Sequence, residues 1–140
     1  MNKKATLRVF SLSLRVSHPS MKLDQVLARI PIKPERAWSV GDPRLSPRTG
    51  VDMGGVQVRT YAVMPFVADP ASIDASIAKV LRSDCLADED FLREFTGSGG
   101  SLALSIGIEA PRKLEFFLSP AMSAELGSKH LNIWISAHSR

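Results

Sequence analysis

Cysteine is nearly absent from this sequence, and its scarcity limits the structural options. Cys85 is the only cysteine among the 140 residues. It has no second thiol with which to form an internal disulfide or to share a metal site, so a reducing compartment is expected. Its acidic neighbour Asp84 is expected to raise the pKa of the thiol, which is the wrong direction for a catalytic nucleophile.

Long apolar runs are also missing. No stretch approaches the 18 or so apolar residues of a membrane helix. The basic start, residues 1–4, resembles the beginning of a signal peptide, but polar residues such as Arg8, Ser11 and Ser13 interrupt the apolar residues that follow. A secretory signal has an unbroken apolar segment at this position. We therefore expect a cytoplasmic protein with no membrane contact.

Sequence motifs for catalysis, metal binding or phosphate binding are missing. The three histidines, His18, His130 and His138, do not stand at metal-ligand spacing. The glycine-rich residues 97–100 lack the lysine of a P-loop and precede a strand pattern, whereas a phosphate loop opens a helix. The sequence thus predicts no catalytic residue, no metal and no cofactor. The sequence leaves open whether the protein is an enzyme, and a non-enzymatic protein is the favoured interpretation.

Aromatic residues are few, 6% of the chain, and positive charge is concentrated in its first part. Residues 1–55 hold ten Lys or Arg against four Asp or Glu, within a net charge of +4. Such a basic half can attract nucleic acid or an acidic partner. The lack of a polybasic cluster and of stacking residues argues against nucleic acid. We expect a protein partner or a small anionic ligand, and either a monomer or a homodimer.

What the sequence does contain is typical of one globular domain. Hydrophobic residues make up 44% and charged residues 23%, which are ordinary globular values. The length lies within the range of roughly 100–200 residues for a single domain. We therefore treat residues 1–140 as one domain.

The periodicity of apolar residues predicts a mixed α+β fold. Alternation with a period of two predicts strands, and spacing of three and four predicts helices. The predicted strands are 7–16 with a bulge near residues 10–11, then 56–63, 102–108, 114–118 and 131–135. The predicted helices lie near 20–30, 70–82 and 120–126, with a shorter helical piece over 88–95.

The order of these main elements is β-α-β-α-β-β-α-β. From residue 56 onward the order is the split pattern of ferredoxin-like sheets, preceded by one extra β-α unit. A single, largely antiparallel sheet with helices on one face follows from that order.

Residues 33–55 are the unusual part of the chain, because prolines and glycines exclude a regular helix or a central strand there. Segments of this length without regular structure are uncommon unless they are functional or disordered. Trp38 is too large and apolar to leave in solvent, so we expect it to pack against the first helix or the sheet edge. Gly41 and Asp42 suit a turn, with a positive φ and a side-chain cap.

The same segment supplies candidate binding residues. Arg36 and Arg44 flank Trp38, Gly41 and Asp42 and have no evident packing role, so they can bind a carboxylate or another anion through their guanidinium groups. His18, at a strand end, is a further candidate, although helix-entry structure explains it as well. Trp38 and Gly41 are favoured as structural residues, and exposed arginines without a ligand are the ordinary alternative for Arg36 and Arg44.

Three segments resemble a bacterial family known as domain of unknown function 4279. They are SLRVSHPSMKLDQVLARI, IKPERAWSVGDPR and the closing LNIWIS. The most specific part is Pro34, Arg36, Trp38, Gly41 and Asp42, which match the family's "Pro…Trp…Gly-Asp" order after the first helix. The second tryptophan that members often carry before the next strand is missing here. The resemblance implies the fold and no established activity.

Two functional hypotheses follow from the sequence. The first is a non-enzymatic bacterial interaction module, immunity-like or regulatory, that uses residues 33–55 as its binding face. The second is a small enzyme acting on an anionic metabolite, with Arg36 and Arg44 as anchors and His18 or Asp42 as proton carrier. A concave pocket that holds these residues together favours the enzyme.

Overall fold

The computed structural model of the chain describes residues 7–110 and 115–139. Strand β1 (Arg8–His18) forms where apolar residues alternate, and it buries Val9, Leu12, Leu14 and Val16 on one side. Its pairing with a neighbouring strand shifts register between Val9 and Ser11. The predicted bulge is therefore confirmed, and it keeps the later apolar residues on the buried side.

Five strands form the main sheet in the order β2-β5-β1-β6-β7. The four that join β1 are β2 (Arg36–Trp38), β5 (Thr60–Pro65), β6 (Ser101–Ala110) and β7 (Leu131–Ser139). All neighbours pair antiparallel except β6 and β7, which run parallel. The predicted α+β class with a largely antiparallel sheet is confirmed.

A separate two-stranded ribbon occupies most of the segment that the sequence leaves without regular structure. β3 (Pro43–Leu45) pairs antiparallel with β4 (Asp52–Val56). Together with β2, these strands give part of residues 33–55 regular structure, and turns and loops connect them. Strands of three to five residues carry no readable periodicity, and so the sequence did not predict them.

Helices cover one face of the main sheet. They are α1 (Leu23–Arg29), α2 (Ile73–Leu81), α3 (Glu89–Gly97) and α4 (Pro120–Ser128), with a 3-10 helix over Asp84–Leu86. α1 and α2 begin three residues later than predicted. Their buried side chains meet those of β1 and β6 in one core, which includes Phe95, Leu92 and Ile77. Among the described residues, no helix is both long and apolar enough to cross a lipid bilayer.

The predicted strand over 114–118 is wrong for the residues that the structure describes. Residues 115–118 have no regular structure, and Leu114 lies outside the described residues. β6 already pairs with β1 on one side and β7 on the other, so it has no free edge for a hairpin partner. β6, α4 and β7 form a parallel crossover instead of the predicted ferredoxin-like hairpin, and Phe117 is 85% exposed.

Candidate functional site

The face of the main sheet opposite the helices, here termed the open face, carries the candidate site. Alternation along each strand sends apolar residues into the core and leaves their neighbours on this face. Three adjacent rows of residues on this face contain the candidate site residues. They are Trp38, Tyr61, Ser17 and Ser101; then Arg36, Val63, Arg15, Ala103 and Asn132; then Pro65, Ser13, Ser105 and Trp134.

The open face carries the tryptophan and tyrosine side chains of the chain. The sequence contains two tryptophans and one tyrosine, and all three lie here. The rings of Trp38 and Tyr61 stack at 4.7 Å between centroids with an interplanar angle of 26°. Trp134 lies on β7, and 62% of its surface is exposed. Exposed tryptophan of this kind is typical of a binding surface.

Arginine side chains lie between these aromatic residues. Arg15 and Arg36 are in the same row with Val63 between them, which puts their Cα atoms about 10 Å apart by the usual strand spacing. Neither forms an ion pair with a carboxylate of the described residues. The Arg36 guanidinium carbon lies 5.7 Å from the Trp38 ring centroid. Arg59 is tied down by hydrogen bonds to Ser17 Oγ and Gly99 O at 2.7 and 3.1 Å.

Two cavities open on this face and share Arg15 and Tyr61. The larger, about 810 Å³, is lined by both arginines, Tyr61 and Glu35, and Pro47 of the 33–55 segment borders it. The smaller, about 460 Å³, extends from Arg15 and Tyr61 to Trp134. Small side chains such as Ser13, Ser17 and Ala103 form the floor between the larger residues. The open face is thus concave, cationic and partly aromatic.

His18 does not belong to the open face. It is 2% exposed on the helix side of β1, with its ring 4.9 Å from that of Phe95. Its Nδ1 accepts hydrogen bonds from the backbone N–H groups of Ser20 and Met21, and its Nε2 lies 2.8 Å from Ser98 Oγ. Burial, aided by the positive charge of Arg59, lowers the pKa of His18. The ring is therefore neutral at pH 7 and connects β1 to the start of α1 and the end of α3.

Gly41 and Asp42 form a turn in the structure. Gly41 has a φ of 91°, in the left-handed region that favours glycine, and its N–H donates to Gln57 O. The Asp42 Oδ2 accepts from the Ser39 N–H at 2.8 Å. These contacts are the ones expected of the structural interpretation.

The remaining candidate residues from the sequence lie in different parts of the structure. Arg36 lines the larger cavity, whereas Arg44 is exposed on β3 and lines neither cavity of the open face. Trp38 is partly buried at the sheet edge, where it supports Tyr61. Cys85 is buried, and its pKa is raised mainly by that burial and less by Asp84. Within the described ranges, no group of His, Cys, Asp and Glu has a metal-binding arrangement.

Arg15, Tyr61 and Trp134 are candidate site residues that the sequence interpretation missed. Each occupies an outward position in an alternating strand, and that pattern is the signal that could have selected them. Searches for a matching protein family, a matching curated protein and a matching solved structure each found none.

Proposed function

We propose that this protein is a non-enzymatic binding module, that its binding site is the open face, and that its ligand is an anion carrying a planar ring. The observation that carries the proposal is the pair Arg15 and Arg36 in one cavity with Tyr61. Guanidinium groups bind carboxylate or phosphate through paired hydrogen bonds, and they stack on planar groups.

The charge of the cavity favours an anion. Arg15 and Arg36 have no ion-pair partner among the described carboxylates, so their charge is available to a ligand. Glu35 is the one acidic residue in the lining of the larger cavity. The two arginines therefore leave a net positive site.

The aromatic residues favour a planar group next to that anion. Tyr61 is held in place by its stack on Trp38, and Trp134 stands at the far end of the smaller cavity. Aromatic rings stack on planar ligands at low entropic cost, because they have few rotatable bonds. The floor of serine and alanine side chains leaves room for a ring to approach the sheet.

Part of the hypothesis drawn from the sequence is kept. The 33–55 segment contributes Arg36 and Pro47 to the edge of the cavity. Arg44, Gly41 and Asp42 are left out of the proposed site. An immunity-like or regulatory role, bacterial origin, membership of the family resembled and cytoplasmic localisation stay predictions.

A small enzyme acting on an anionic metabolite is the second candidate, since arginines in a cavity also suit a substrate. Its two expected proton carriers lie elsewhere: His18 is buried on the opposite side of β1, and Asp42 is engaged in a turn. Glu35 is the carboxylate that lines the cavity. Binding without turnover is therefore the better supported function.

The test uses a nucleoside monophosphate as a probe that contains both an anion and a planar ring. Adenosine monophosphate, inorganic phosphate and adenosine are titrated separately and followed by isothermal calorimetry. We expect the nucleotide to bind at least about tenfold more tightly than either part alone. Arg15→Ala and Arg36→Ala should each weaken binding by about tenfold or more, and Arg44→Ala, the matched loss of one arginine from the same segment, should not.

Other outcomes contradict particular parts of the proposal. If Arg44→Ala weakens nucleotide binding as much as Arg36→Ala does, the binding site lies in the 33–55 segment and not on the open face. If the nucleotide does not bind at all, a ring-bearing anion is rejected as the ligand. Turnover of the probe in NMR spectra of the mixture favours the enzyme. A ten-residue oligodeoxythymidylate that binds far more tightly, with an affinity that falls steeply as salt rises, identifies single-stranded nucleic acid as the ligand.

A further inference from the structure

β7 forms one outer edge of the main sheet. It pairs with β6 along its whole length, from Leu131 opposite Leu102 to Ser139 opposite Ala110. No strand of the described residues pairs with its other side. A strand edge of nine residues with free backbone donors and acceptors is a template for pairing with another strand.

β7 lacks the features by which proteins protect such edges. Residues 131–139 contain no lysine, arginine, aspartate, glutamate or proline, and the pairing with β6 has no register shift. The opposite edge of the sheet is different: β2 has only three residues, and one of them is Arg36. Short length and charge are common protections of an edge strand. Within residues 7–110 and 115–139, the sheet edge at β2 is therefore protected and the edge at β7 is able to pair.

We propose that two copies of this protein associate by antiparallel pairing of β7 with β7 of the second copy. An antiparallel pair of identical strands has two-fold symmetry, which is the commonest symmetry of soluble oligomers. With the pairing centred on Ile135, Trp134 lies opposite Ser136 of the second copy, and no charge faces another. The result is a continuous ten-stranded sheet.

Trp134 supports a second copy as the occupant of this edge. Its side chain is large, and it is 62% exposed in the single chain. In the proposed pair, Trp134 of one copy and Trp134 of the other lie diagonally across the two-fold axis, within reach of each other. The exposed tryptophan thereby loses solvent contact on both copies at once. Strand pairing alone covers less than the roughly 1,600 Å² of a standard interface, so we expect a dissociation constant of about micromolar or weaker.

The test measures self-association of the whole chain by sedimentation over about a hundredfold range of concentration that spans the expected dissociation constant. Wild type should pass from monomer to dimer as concentration rises. Trp134→Lys should weaken association by at least about tenfold, because two lysines then lie diagonally across the axis, within reach of each other. Val58→Lys, which replaces a 79% exposed apolar residue outside both sheets, should leave association unchanged.

Two further measurements keep the outcome clear. If Trp134→Lys does not fold, as judged by circular dichroism, Ser136→Lys places a charge on the same strand at an exposed position. Hydrogen exchange should show that amides of β7 gain protection in the dimer and that amides of β2 do not. A wild type that stays monomeric throughout, or a dimer weakened by Val58→Lys and not by the β7 variants, overturns the proposal.

Discussion

His18 is a buried residue whose two ring nitrogens both have partners, and its removal tests the structural role assigned to it. Nδ1 accepts from Ser20 N–H at 3.1 Å and from Met21 N–H at 2.9 Å. Because Nδ1 accepts both bonds, the proton is on Nε2, which donates to Ser98 Oγ. That hydroxyl donates in turn to Phe95 O at 3.1 Å. We predict that His18→Ala lowers the stability of the ligand-free protein.

The magnitude follows from the groups that lose a partner. Two backbone donors lose their acceptor, and a buried donor left without one costs about 1–3 kcal/mol. Ser20 is exposed, so water can replace part of its bond. Loss of the ring contact with Phe95 adds about 1 kcal/mol. We expect the free energy of unfolding to fall by about 2–4 kcal/mol.

Urea unfolding followed by circular dichroism measures this loss, with His18→Asn as the matched variant. The Asn side-chain oxygen can accept from the same two N–H groups, so the loss should be about half that of His18→Ala. The slope of free energy against urea should stay the same for all three proteins. A loss under about 0.5 kcal/mol in His18→Ala, or equal losses in the two variants, would refute this account of the ring.

Two more predictions concern pH and Trp38. Because burial lowers the pKa of His18 in the folded state, the unfolded chain binds more protons below about pH 6.5, and the contribution of His18 to stability is lost as pH falls through that range. The melting temperature of wild type should therefore drop between pH 7 and 5.5 by more than that of His18→Asn, and parallel curves would contradict this. Trp38→Ala should lower the free energy of unfolding in urea by about 2–3 kcal/mol, since the ring stacks on Tyr61. The loss stays below the roughly 3–5 kcal/mol of a fully buried aromatic residue because the ring is partly exposed. Trp38→Phe keeps a stack and should lose about 1 kcal/mol; equal losses in the two variants would reject the stacking contribution.

Alternation of apolar residues predicted the strands that have one buried side. β1 and β6 bury every second residue or nearly so, and β7 buries Leu131 and partly buries Ile133 and Ile135. The bulge after Val9 was readable as a break in the alternation of β1. The predicted strand over 56–63 was wrong at residues 57–59, which connect β4 to β5, and the same pattern failed at residues 115–118. Alternation reports which side chains can be buried together, but pairing also needs a free neighbouring edge. Whether β6 has such an edge depends on β7, which lies later in the chain.

The candidate site was harder to predict for a related reason. Gly41 and Asp42 attracted attention because turn chemistry is local and can be read from neighbouring residues. Arg15, Tyr61 and Trp134 come from three strands that are far apart in the sequence. Alternation within each strand predicts that the side chain faces away from the core. Only the strand order, however, brings the three residues to one cavity. Arg36 is the candidate from the sequence that lies with Arg15 and Tyr61, in the larger cavity, because β2 pairs with β5.

The open face and the β7 edge meet at Trp134, and the geometry of a strand pair relates the two proposals. A two-fold axis between antiparallel strands of one sheet stands perpendicular to that sheet, so both copies present their open faces on the same side. Trp134 lines the smaller cavity and also lies next to the axis. On the two proposals, we therefore expect a change at Trp134 to affect ligand binding and association together. Variants at two other positions distinguish the proposals. A change at Arg15 should affect ligand binding alone, because Arg15 lies two strands inside the edge, and a change at Ser136 should affect association alone, because Ser136 lines neither cavity.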